Sequence, residues 1–431
     1  MKISNVYQVA TCRLCVGCGA CYYACPEKKI KLIDIVDDGI RPIRLESEET
    51  GKPESCDDCR RCLEVCPGVK TMLPDVNSNG AIKQLGKRWG RIIELWEGYA
   101  ADPEIRFKGS SGGLCTALSL FCLEKGYAGG VLHIGSDPER PLKNKTVRSA
   151  SREELVSRTG SRYSPASPCD GLECIEEARH PSVFVGKPCD VAGLRMAQAI
   201  HPELEQKTFL VIGFFCAGTP STRGTLELLR EHHIDPDEVS ELRYRGMGWP
   251  GMAAIRRKND QEPFIQLSYR DSWGFVQKYR PFRCYLCPDL TAEFADISVG
   301  DPWYREVGAN EPGQSLILIR SEKGRKIFRE AVESGYVRAV RAEPDILYKS
   351  QKNLLGKRQA IWGRLLAMKM LGIPYPRLEG FHLFENWLDL SPKEKVKSVL
   401  GTARRIVQRN YFKPLDYGRI KDRGQRKKEK G

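Results

Sequence analysis

Two stretches of the chain repeat one cysteine spacing, Cys15-x2-Cys18-x2-Cys21-x3-Cys25-Pro26 and Cys56-x2-Cys59-x2-Cys62-x3-Cys66-Pro67. Three thiolates separated by two residues can wrap a short loop around one face of a cubane iron–sulfur cluster. The fourth cysteine, which precedes a proline, binds the neighbouring cluster. We therefore expect two 4Fe-4S clusters with exchanged fourth ligands. The predicted ligands are Cys15, Cys18, Cys21 and Cys66 for one cluster, and Cys56, Cys59, Cys62 and Cys25 for the other.

Zinc is the alternative occupant, because structural zinc sites also use sets of four cysteines. Such sites do not normally need eight cysteines in two exchanged quartets, so the repeat favours iron–sulfur clusters. We predict that residues 1–80 form a bacterial-ferredoxin-like module that carries electrons. The turn-rich stretch 76–80 is expected to end this module.

The length and composition predict a multidomain globular protein. A chain of 431 residues is too long for one compact core, and 41% of its residues are hydrophobic while 29% are charged. Residues 1–11 contain no apolar run, and no stretch of about 18 apolar residues is present. Seventeen cysteines without an export signal favour a reducing compartment and cofactor ligation over disulfides. We therefore expect a cytoplasmic protein.

The net charge of +14 is concentrated at the C-terminal end of the chain. Residues 401–431 contain eleven Lys or Arg against three Asp or Glu, whereas residues 1–75 contain eleven against twelve. The excess is a local property, so it does not indicate nucleic-acid binding. We predict that residues 413–431 form a basic, disordered tail.

Residues 98–345 alternate between apolar strands and amphipathic helices, which predicts an α/β core. The predicted strands include 131–134, 182–186, 209–215 and 315–319, and the predicted helices include 112–125, 190–199 and 322–334. Residues 346–412 are predicted to form a helical extension. The expected fold class is therefore α/β, with a ferredoxin-like module before the core and helices after it.

Four further cysteines lie in contexts that suit ligation. Cys189 and Cys216 follow predicted buried strands, where loops at strand ends commonly build sites. Cys284-x2-Cys287-Pro288 supplies a pair. Together they make a plausible thiolate set for a third iron–sulfur cluster. The spacing alone leaves open whether these residues are ligands or small buried hydrophobic side chains.

The stretch 108–114, Lys-Gly-Ser-Ser-Gly-Gly-Leu, enters a predicted helix. Backbone N–H groups at a helix N-terminus can cradle a phosphate. The stretch lacks the spacing of both the dinucleotide fingerprint and the P-loop. A simple tight turn is an equally good interpretation.

A succession of short motifs resembles one known family. The motifs are Gly109-Ser-Ser-Gly-Gly113, Gly160-Ser-Arg-Tyr163, Val185-Gly-Lys-Pro-Cys-Asp190, Phe215-Cys-Ala-Gly218, Arg245-Gly-Met-Gly-Trp-Pro-Gly251, Arg283-Cys-Tyr-Leu-Cys-Pro-Asp289 and Ala295-Asp-Ile-Ser-Val-Gly-Asp301. In this order they are similar to the coenzyme F-420 hydrogenase/dehydrogenase beta subunits, over residues 98–345. No single motif is specific, but their joint occurrence is.

The resemblance implies that the core binds FAD and that Cys189, Cys216, Cys284 and Cys287 hold a third 4Fe-4S cluster. Lys187 is the candidate catalytic residue, because its positive charge could stabilise a reduced flavin anion. The residues implied at the flavin are Gly109, Ser110, Ser111, Gly112, Gly113, Ser161, Arg162, Tyr163, Gly186, Lys187 and Pro188. Arg243, Arg245, Arg256 and Arg257 are candidates to meet the charge of an anionic substrate, or are merely exposed strand residues.

The expected activity follows from the cofactor types. A deazaflavin releases two electrons as hydride and a cluster accepts one, so a flavin is needed between them. We expect an oxidoreductase that exchanges hydride with coenzyme F-420 and electrons with a redox partner. The alternatives are a ferredoxin-dependent reductase of another organic substrate, since the resembled family is functionally mixed, and a non-enzymatic electron-relay subunit.

A basic amphipathic helix is predicted after Ser391, where Ser-Pro-Lys-Glu has the spacing of a capping box. Val396, Val399, Leu400, Ala403, Ile406 and Val407 form its apolar stripe, and Lys or Arg residues flank it. Such a helix can lie on an anionic membrane or an acidic partner complex. The simpler interpretation is a helix docked on its own domain.

Overall fold

The computed structural model describes residues 3–44, 59–73, 80–304 and 311–417. In these ranges the chain forms an N-terminal ferredoxin-like module, an α/β core and a helical C-terminal extension. The predicted ligand Cys56 and most of the predicted tail, residues 418–431, lie outside the described residues. No described helix is long and apolar enough to cross a membrane.

The helices of the described residues are mostly short. They are α1 (Val6–Thr11), α2 (Ala20–Tyr23), α3 (Arg61–Glu64), α4 (Lys83–Trp89), α5 (Pro103–Lys108), α6 (Leu114–Glu124), α7 (Arg152–Ser157), α8 (Glu173–Glu176), α9 (Pro188–Gln198), α10 (Pro202–Lys207), α11 (Thr222–Glu231), α12 (Tyr269–Val276), α13 (Glu322–Glu333), α14 (Pro344–Ser350), α15 (Lys352–Gln359), α16 (Ile361–Met370), α17 (Leu383–Leu388) and α18 (Pro392–Gln408).

The strands divide among four sheets in the described ranges. They are β1 (Ile30–Ile35), β2 (Gly39–Arg44), β3 (Lys70–Met72), β4 (Glu94–Ala100), β5 (Gly130–Ser136), β6 (Asn144–Ser149), β7 (Ser182–Gly186), β8 (Thr208–Phe214), β9 (Val239–Arg243), β10 (Ala253–Arg257), β11 (Ile265–Leu267), β12 (Ile297–Gly300), β13 (Ser315–Ile319), β14 (Val337–Arg341) and β15 (Arg377–Glu379).

The core is built on an eight-stranded sheet with the order β14-β4-β13-β12-β8-β7-β5-β6. Strands β5, β7, β8 and β12 are parallel, and β13 is antiparallel to both β12 and β4. Strand β4 therefore runs in the same direction as the parallel strands. As a result, β4, β5, β7, β8 and β12 all end at one edge of the sheet, where sites of α/β proteins commonly form.

Both faces of this sheet are buried, which explains why β8 is a continuous apolar run. Alternate residues of a strand point to opposite faces. Leu210 and Ile212 pack in the cluster that contains helices α6 and α13, whereas Val211 packs with helix α9 on the other face. The sequence predicted strands 182–186 and 315–319 with the bounds that β7 and β13 have in the structure.

The ferredoxin-like module packs directly on the face that carries α9. Cys18, Ala20 and Tyr23 belong to the same buried cluster as Phe184 and Val211 of the sheet. Two hydrogen bonds fix the first cysteine loop, from Ser167 Oγ to the Gly17 carbonyl (2.8 Å) and from the Cys169 amide to the Cys18 carbonyl (2.9 Å). The module and core are therefore one packed body at this loop.

The helical extension reaches both other parts of the chain. Strand β15 pairs in parallel with β3 of the module. Arg358 of α15 forms a buried ion pair with Glu293, with 3% and 0% of the two side chains exposed, and it donates to the Phe381 carbonyl (3.2 Å). These contacts explain why a segment without a sheet of its own is ordered.

The first residues of the predicted tail are packed against the module. We expected disorder from residue 413, but the Leu415 amide donates to the Thr11 carbonyl (2.8 Å), and Arg13 donates to the Lys413 carbonyl (2.9 Å). The hydroxyl of Tyr417 donates to Asp38 Oδ2 (2.6 Å). Residues 413–417 are therefore packed against the module.

The Arg358–Glu293 ion pair gives a stability prediction. Arg358→Met leaves the Glu293 carboxylate buried without its cation, so we expect the free energy of unfolding to fall by about 3–5 kcal/mol. Denaturant titration followed by tryptophan fluorescence measures this loss. Lys349→Met is the control, because it removes an exposed ion pair with Asp345 and should leave the midpoint nearly unchanged. Equal midpoints for the two variants would contradict the anchoring role of Arg358.

Candidate cofactor sites

The common edge of the parallel strands carries several of the predicted site residues of the core. Lys187 follows β7, Cys216 lies two residues beyond β8, and Asp301 follows β12. The loop Gly109–Gly113, called the glycine loop below, comes after β4 and α5 and enters α6. The strand order thus places several chain segments that are remote in sequence along one line.

Four cysteines of the core line one cavity, called the core thiol cavity below: Cys189, Cys216, Cys284 and Cys287. Cys189 is the second residue of helix α9, and Cys216 is held by a hydrogen bond from its amide to the Leu290 carbonyl (3.0 Å). Cys284 and Cys287 lie in and just after a short 3-10 helix, Phe282–Leu286. The structure brings together the set that the sequence proposed.

The environment of these thiols suits a bound cation. Burial raises the pKa of Cys189 well above its usual value, and the neighbouring Cys287 and Cys216 raise it further. Burial likewise raises the pKa of Cys216 to about 11. Thiols held this close lose their protons when a metal binds them. Among the described residues, no group of three or more His, Cys, Asp or Glu is arranged to hold a single metal ion. Four cysteines that line one cavity match the ligand number of a 4Fe-4S cluster, where each thiolate binds a different iron.

A second cavity lies inside the module. It is lined by Cys15, Cys18, Cys21 and Cys66, and we call it the module thiol cavity. Burial raises the pKa of Cys21, and Cys15, Cys18 and Cys66 raise it further, as expected for four thiols in mutual contact range. Cys66 thus joins the first three thiols, in the exchanged arrangement that the spacing predicted.

Of the remaining predicted ligands of the module, Cys59 and Cys62 lie nearer the surface than the first set. Cys25 is buried, Cys62 is half-buried and Cys59 is exposed, while Cys56 lies outside the described residues. Cys25 and Cys62 pack in the same apolar cluster as Cys15, Cys21 and Cys66. The structure therefore puts Cys25 and Cys62 beside the first thiol set and leaves Cys59 exposed to solvent.

The two thiol cavities adjoin each other. Cys15, Val16, Gly17 and Ile40 line both of them. Helix α9 packs closely on the first cysteine loop, since a Cβ atom on Gly193 would lie 3.0 Å from the Cys18 sulfur. The core thiols are thus next to the first thiol set of the module.

Each of these cavities contains a sulfur that accepts a hydrogen bond from an amide two residues later. The Gly17 amide donates to Cys15 Sγ (3.3 Å), and the Gly218 amide donates to Cys216 Sγ (3.4 Å). Both glycines have a positive φ, 73° and 118°, which lets the backbone turn back to the sulfur. Amide hydrogen bonds to sulfur are one of the factors that set cluster potentials.

Lys187 lies in the core thiol cavity, with 7% of its surface exposed. Its Nζ atom donates to Asp190 Oδ1 (2.6 Å) and to the Ala166 carbonyl (3.2 Å). Burial works to lower the pKa of Lys187, but the Asp190 carboxylate outweighs it and raises that pKa. Burial raises the pKa of Asp190 to about 6 despite Lys187, so both groups are charged at neutral pH.

The glycine loop is hydrogen-bonded to the start of strand β13. Ser111 Oγ donates to the Gln314 carbonyl (2.6 Å), and the Gly112 amide donates to Ser315 Oγ (2.8 Å). The Ser161 amide donates to Ser110 Oγ (2.6 Å), which joins the predicted segment 160–163 to this loop. Helix α6 begins here, so its first amides and dipole suit a phosphate group.

Other predicted flavin residues have different positions. Four strand spacings of about 4.8 Å separate β4 from β7, so Gly186–Pro188 lie about 19 Å along the edge from the glycine loop. The Arg162 guanidinium donates hydrogen bonds to the carbonyls of Leu242 (2.9 Å) and Pro141 (2.8 Å). Only a ligand as long as a dinucleotide could meet both ends of this predicted set.

Arg245, a candidate for binding an anionic substrate, is instead a buried structural residue. It forms two hydrogen bonds with the Asp301 carboxylate (2.9 and 2.6 Å), and its guanidinium lies over the ring of Tyr269. Arg256 and Arg257 pair with Glu241 and Asp260.

Sequence reasoning missed two cations beside the thiols. Arg41 lines the core thiol cavity although it belongs to β2 of the module. Lys357 of α15 donates to the Ala217 carbonyl (3.0 Å), next to Cys216. No motif contains either residue, so only the tertiary structure reveals them.

Comparison with known families agrees with this architecture. The sequence models described as "Coenzyme F-420 hydrogenase/dehydrogenase, beta subunit", N-term and C terminus, match residues 95–172 and 182–345. Together they span more than half of the chain. A model described as "4Fe-4S dicluster domain" matches residues 14–69.

Individual relatives are distant. The coenzyme F-420-dependent sulfite reductase of Methanocaldococcus jannaschii is 28% identical over 74% of this chain, which spans only 46% of that protein. The coenzyme F-420 hydrogenase subunit beta of Methanosarcina barkeri is 25% identical over 63% of this chain and 91% of its own length. The beta subunit of the F-420-dependent formate dehydrogenase 1 of Methanococcus maripaludis is 24% identical over 66% of this chain and 71% of its own length.

A solved structure shares the fold. It is a chain of the F-420-reducing NiFe hydrogenase complex from Methanosarcina barkeri, with a TM-score of 0.53 and 22% identity. The match covers 67% of this chain and 97% of that chain.

The core thiol cavity gives a ligand prediction. Cys284→Ser should remove about four irons per chain, the content of one 4Fe-4S cluster, and should leave the module clusters in place. Iron and sulfide analysis with EPR of the anaerobically reduced protein measures the loss. Cys174→Ser, at an exposed thiol, is the matched control and should keep the full iron content. An unchanged iron content in Cys284→Ser would refute the third cluster.

Proposed function

The chain belongs to the coenzyme F-420 hydrogenase/dehydrogenase beta-subunit family, and from this membership we propose a specific activity for it. It is a flavin iron–sulfur oxidoreductase that exchanges hydride with coenzyme F-420 and single electrons with a partner protein. Its homologues are oxidoreductases that depend on F-420 or are subunits of such enzymes.

The observation that carries the proposal is the contact between the core thiol cavity and the module thiol cavity. Cys15 lines both, so two cluster ligand sets of different chain segments are neighbours. A zinc site or a structural cluster would not need such a neighbour. The arrangement supports electron passage between core and module.

The residues of the sheet edge have distinct parts in this proposal. The glycine loop and Ser161, near the N-terminus of α6, would hold the phosphates of FAD. Gly186, Lys187 and Pro188, beside the core thiols, would hold another part of the same cofactor. Bound there, flavin supplies the conversion between hydride and single electrons. Lys187 keeps a positive charge in this buried place because Asp190 pairs with it at 2.6 Å.

The exposure of the module thiols supports an assignment of the cluster that meets the redox partner. Cys59 is exposed, whereas Cys15, Cys18 and Cys21 are buried. The second cluster, which Cys25, Cys56, Cys59 and Cys62 hold in this proposal, is therefore the contact point for a redox partner. The same exposed set would serve an incoming ferredoxin, so a ferredoxin-dependent reductase of another organic substrate is the alternative.

An anaerobic titration separates these two activities. Reduced F-420 added to iron-replete protein should bleach the flavin and cluster absorbance stoichiometrically, because hydride enters at the flavin. NADPH is the control donor and should leave the spectrum unchanged. Bleaching by dithionite and reduced ferredoxin, but not by reduced F-420, would overturn the proposal in favour of the ferredoxin-dependent reductase.

Helix α18 supports a second proposal, docking on an anionic membrane surface. The capping box of Ser391 and Glu394 is present, as the sequence predicted. The helix packs on its own domain through Ser398, Thr402 and Ile406. The predicted stripe is divided, because Ile406 is buried whereas Val396, Leu400 and Val407 are 55%, 62% and 59% exposed.

The charge of this helix matches an anionic surface. Residues 392–409 contain six Lys or Arg and one Glu, and basic side chains flank the exposed apolar residues. An exposed apolar stripe among cations is the pattern of helices that lie at lipid headgroups.

Vesicle flotation tests the docking of α18. The protein should float with vesicles that contain phosphatidylserine and remain unbound with pure phosphatidylcholine, because both charge and apolar contact contribute. Leu400→Glu should reduce binding about tenfold or more, whereas Val340→Glu, at an equally exposed valine on β14, should not. Equal binding of the two variants would contradict docking through α18.

A further inference from the structure

A buried arginine lies at the junction of the two thiol cavities. Arg41, on β2, is 3% exposed and lines the core thiol cavity together with Cys15 and Cys189. A Cβ atom on Gly17 would lie 3.2 Å from Arg41 Nη1, and Gly17 lines both cavities. The guanidinium is therefore beside the loop whose amide donates to Cys15 Sγ.

The Arg41 guanidinium and the Cys15 side chain share one buried environment. Both residues line the core thiol cavity, and Arg41 is 3% exposed. A buried charge is screened much less by solvent and salt than an exposed one. The positive charge of Arg41 therefore attracts negative charge at Cys15 with little screening by solvent.

Two hydrogen bonds hold Arg41 in this position, and a third holds its partner Asp38. Its Nε atom donates to Asp38 Oδ2 (2.8 Å), and its Nη1 atom donates to the Ile40 carbonyl (2.8 Å). Asp38 Oδ2 also accepts from the Tyr417 hydroxyl (2.6 Å). Burial opposes ionisation of Asp38, but Arg41 and Tyr417 hold its pKa below the usual value. The last described residue of the chain therefore supports a cation between the thiol sets.

We propose that Arg41 is a positioning residue that sets the relative reduction potentials of the core cluster and the first module cluster. It rests on the cluster assignments of the proposed function. Reduction adds one negative charge to a cluster, so a fixed cation beside it favours the reduced form. Arg41 lines the core thiol cavity and not the module thiol cavity, but its Nη1 atom lies beside Gly17, in the loop that carries the module ligand Cys15. We therefore expect its effect to be larger on the module cluster. An electron shared by the two clusters is thereby drawn from the core toward the module.

Potentiometric titration followed by EPR tests this role in the holoprotein. Arg41→Gln should lower the midpoint potential of the first module cluster by at least about 59 mV. For one electron, this shift corresponds to a tenfold change in the ratio of reduced to oxidised cluster. The core cluster should shift less, and Arg41→Lys should restore most of the wild-type value. Unchanged midpoints in Arg41→Gln at full iron content would overturn the proposal.

Two further variants keep the test decisive. Arg223→Gln removes a cation from an exposed ion pair with Asp37 of the same hairpin, and should leave both midpoints unchanged. Tyr417→Phe frees Asp38 to neutralise Arg41 more fully, so it should lower the module midpoint by a smaller step. If Arg41→Gln loses iron, an unchanged midpoint in Tyr417→Phe overturns the proposal.

Failure of the cluster assignments is distinguishable from failure of Arg41. A wild-type protein without a third cluster by iron content and EPR would refute the proposed function. A wild-type protein with three clusters, whose potentials do not respond to Arg41→Gln, would refute only the role of Arg41.

Discussion

The close docking of the first cysteine loop on helix α9 is the contact on which the rest of the molecule depends. A side chain on Gly193 would press against the Cys18 sulfur, and Ser167 and Cys169 hydrogen-bond the loop to the core. Because of this contact, Cys15 lines both thiol cavities. Without it, the module would be a separate electron carrier, and the core thiols would have no neighbouring thiol set in the described chain.

The negative charge of the thiols is balanced by cations around the site. Eight buried or half-buried thiols in two adjoining cavities represent a large negative charge once they are ligands. The structure supplies cations from three different parts of the chain: Arg41 from the module, Lys187 from the core and Lys357 from the extension. Burial is the main cause that lowers the pKa of Lys357 to about 8, and the charge of Arg280 lowers it further. The extension therefore contributes to the electrostatics of the site as well as to stability.

The sequence predicted the parts of the site that local spacing determines. The cysteine repeat gave the exchanged quartet of the module thiol cavity, and the strand-end positions of Cys189 and Cys216 gave half of the core set. It did not predict Arg41 or the pairing of β15 with β3, because these contacts join segments that are remote in sequence and carry no periodic signal. Nor did the order of motifs reveal that Gly186–Pro188 and the glycine loop are four strands apart, since strand order in a sheet is a tertiary property.

The central claim is that three cluster sites and one flavin site lie in a single chain. The most direct test is the iron, sulfide and flavin content of the protein purified and reconstituted without oxygen. The account predicts about twelve irons, about twelve sulfides and one FAD per chain, as three 4Fe-4S clusters require. A saturated value of about eight irons, or a chain that retains no FAD, would contradict it.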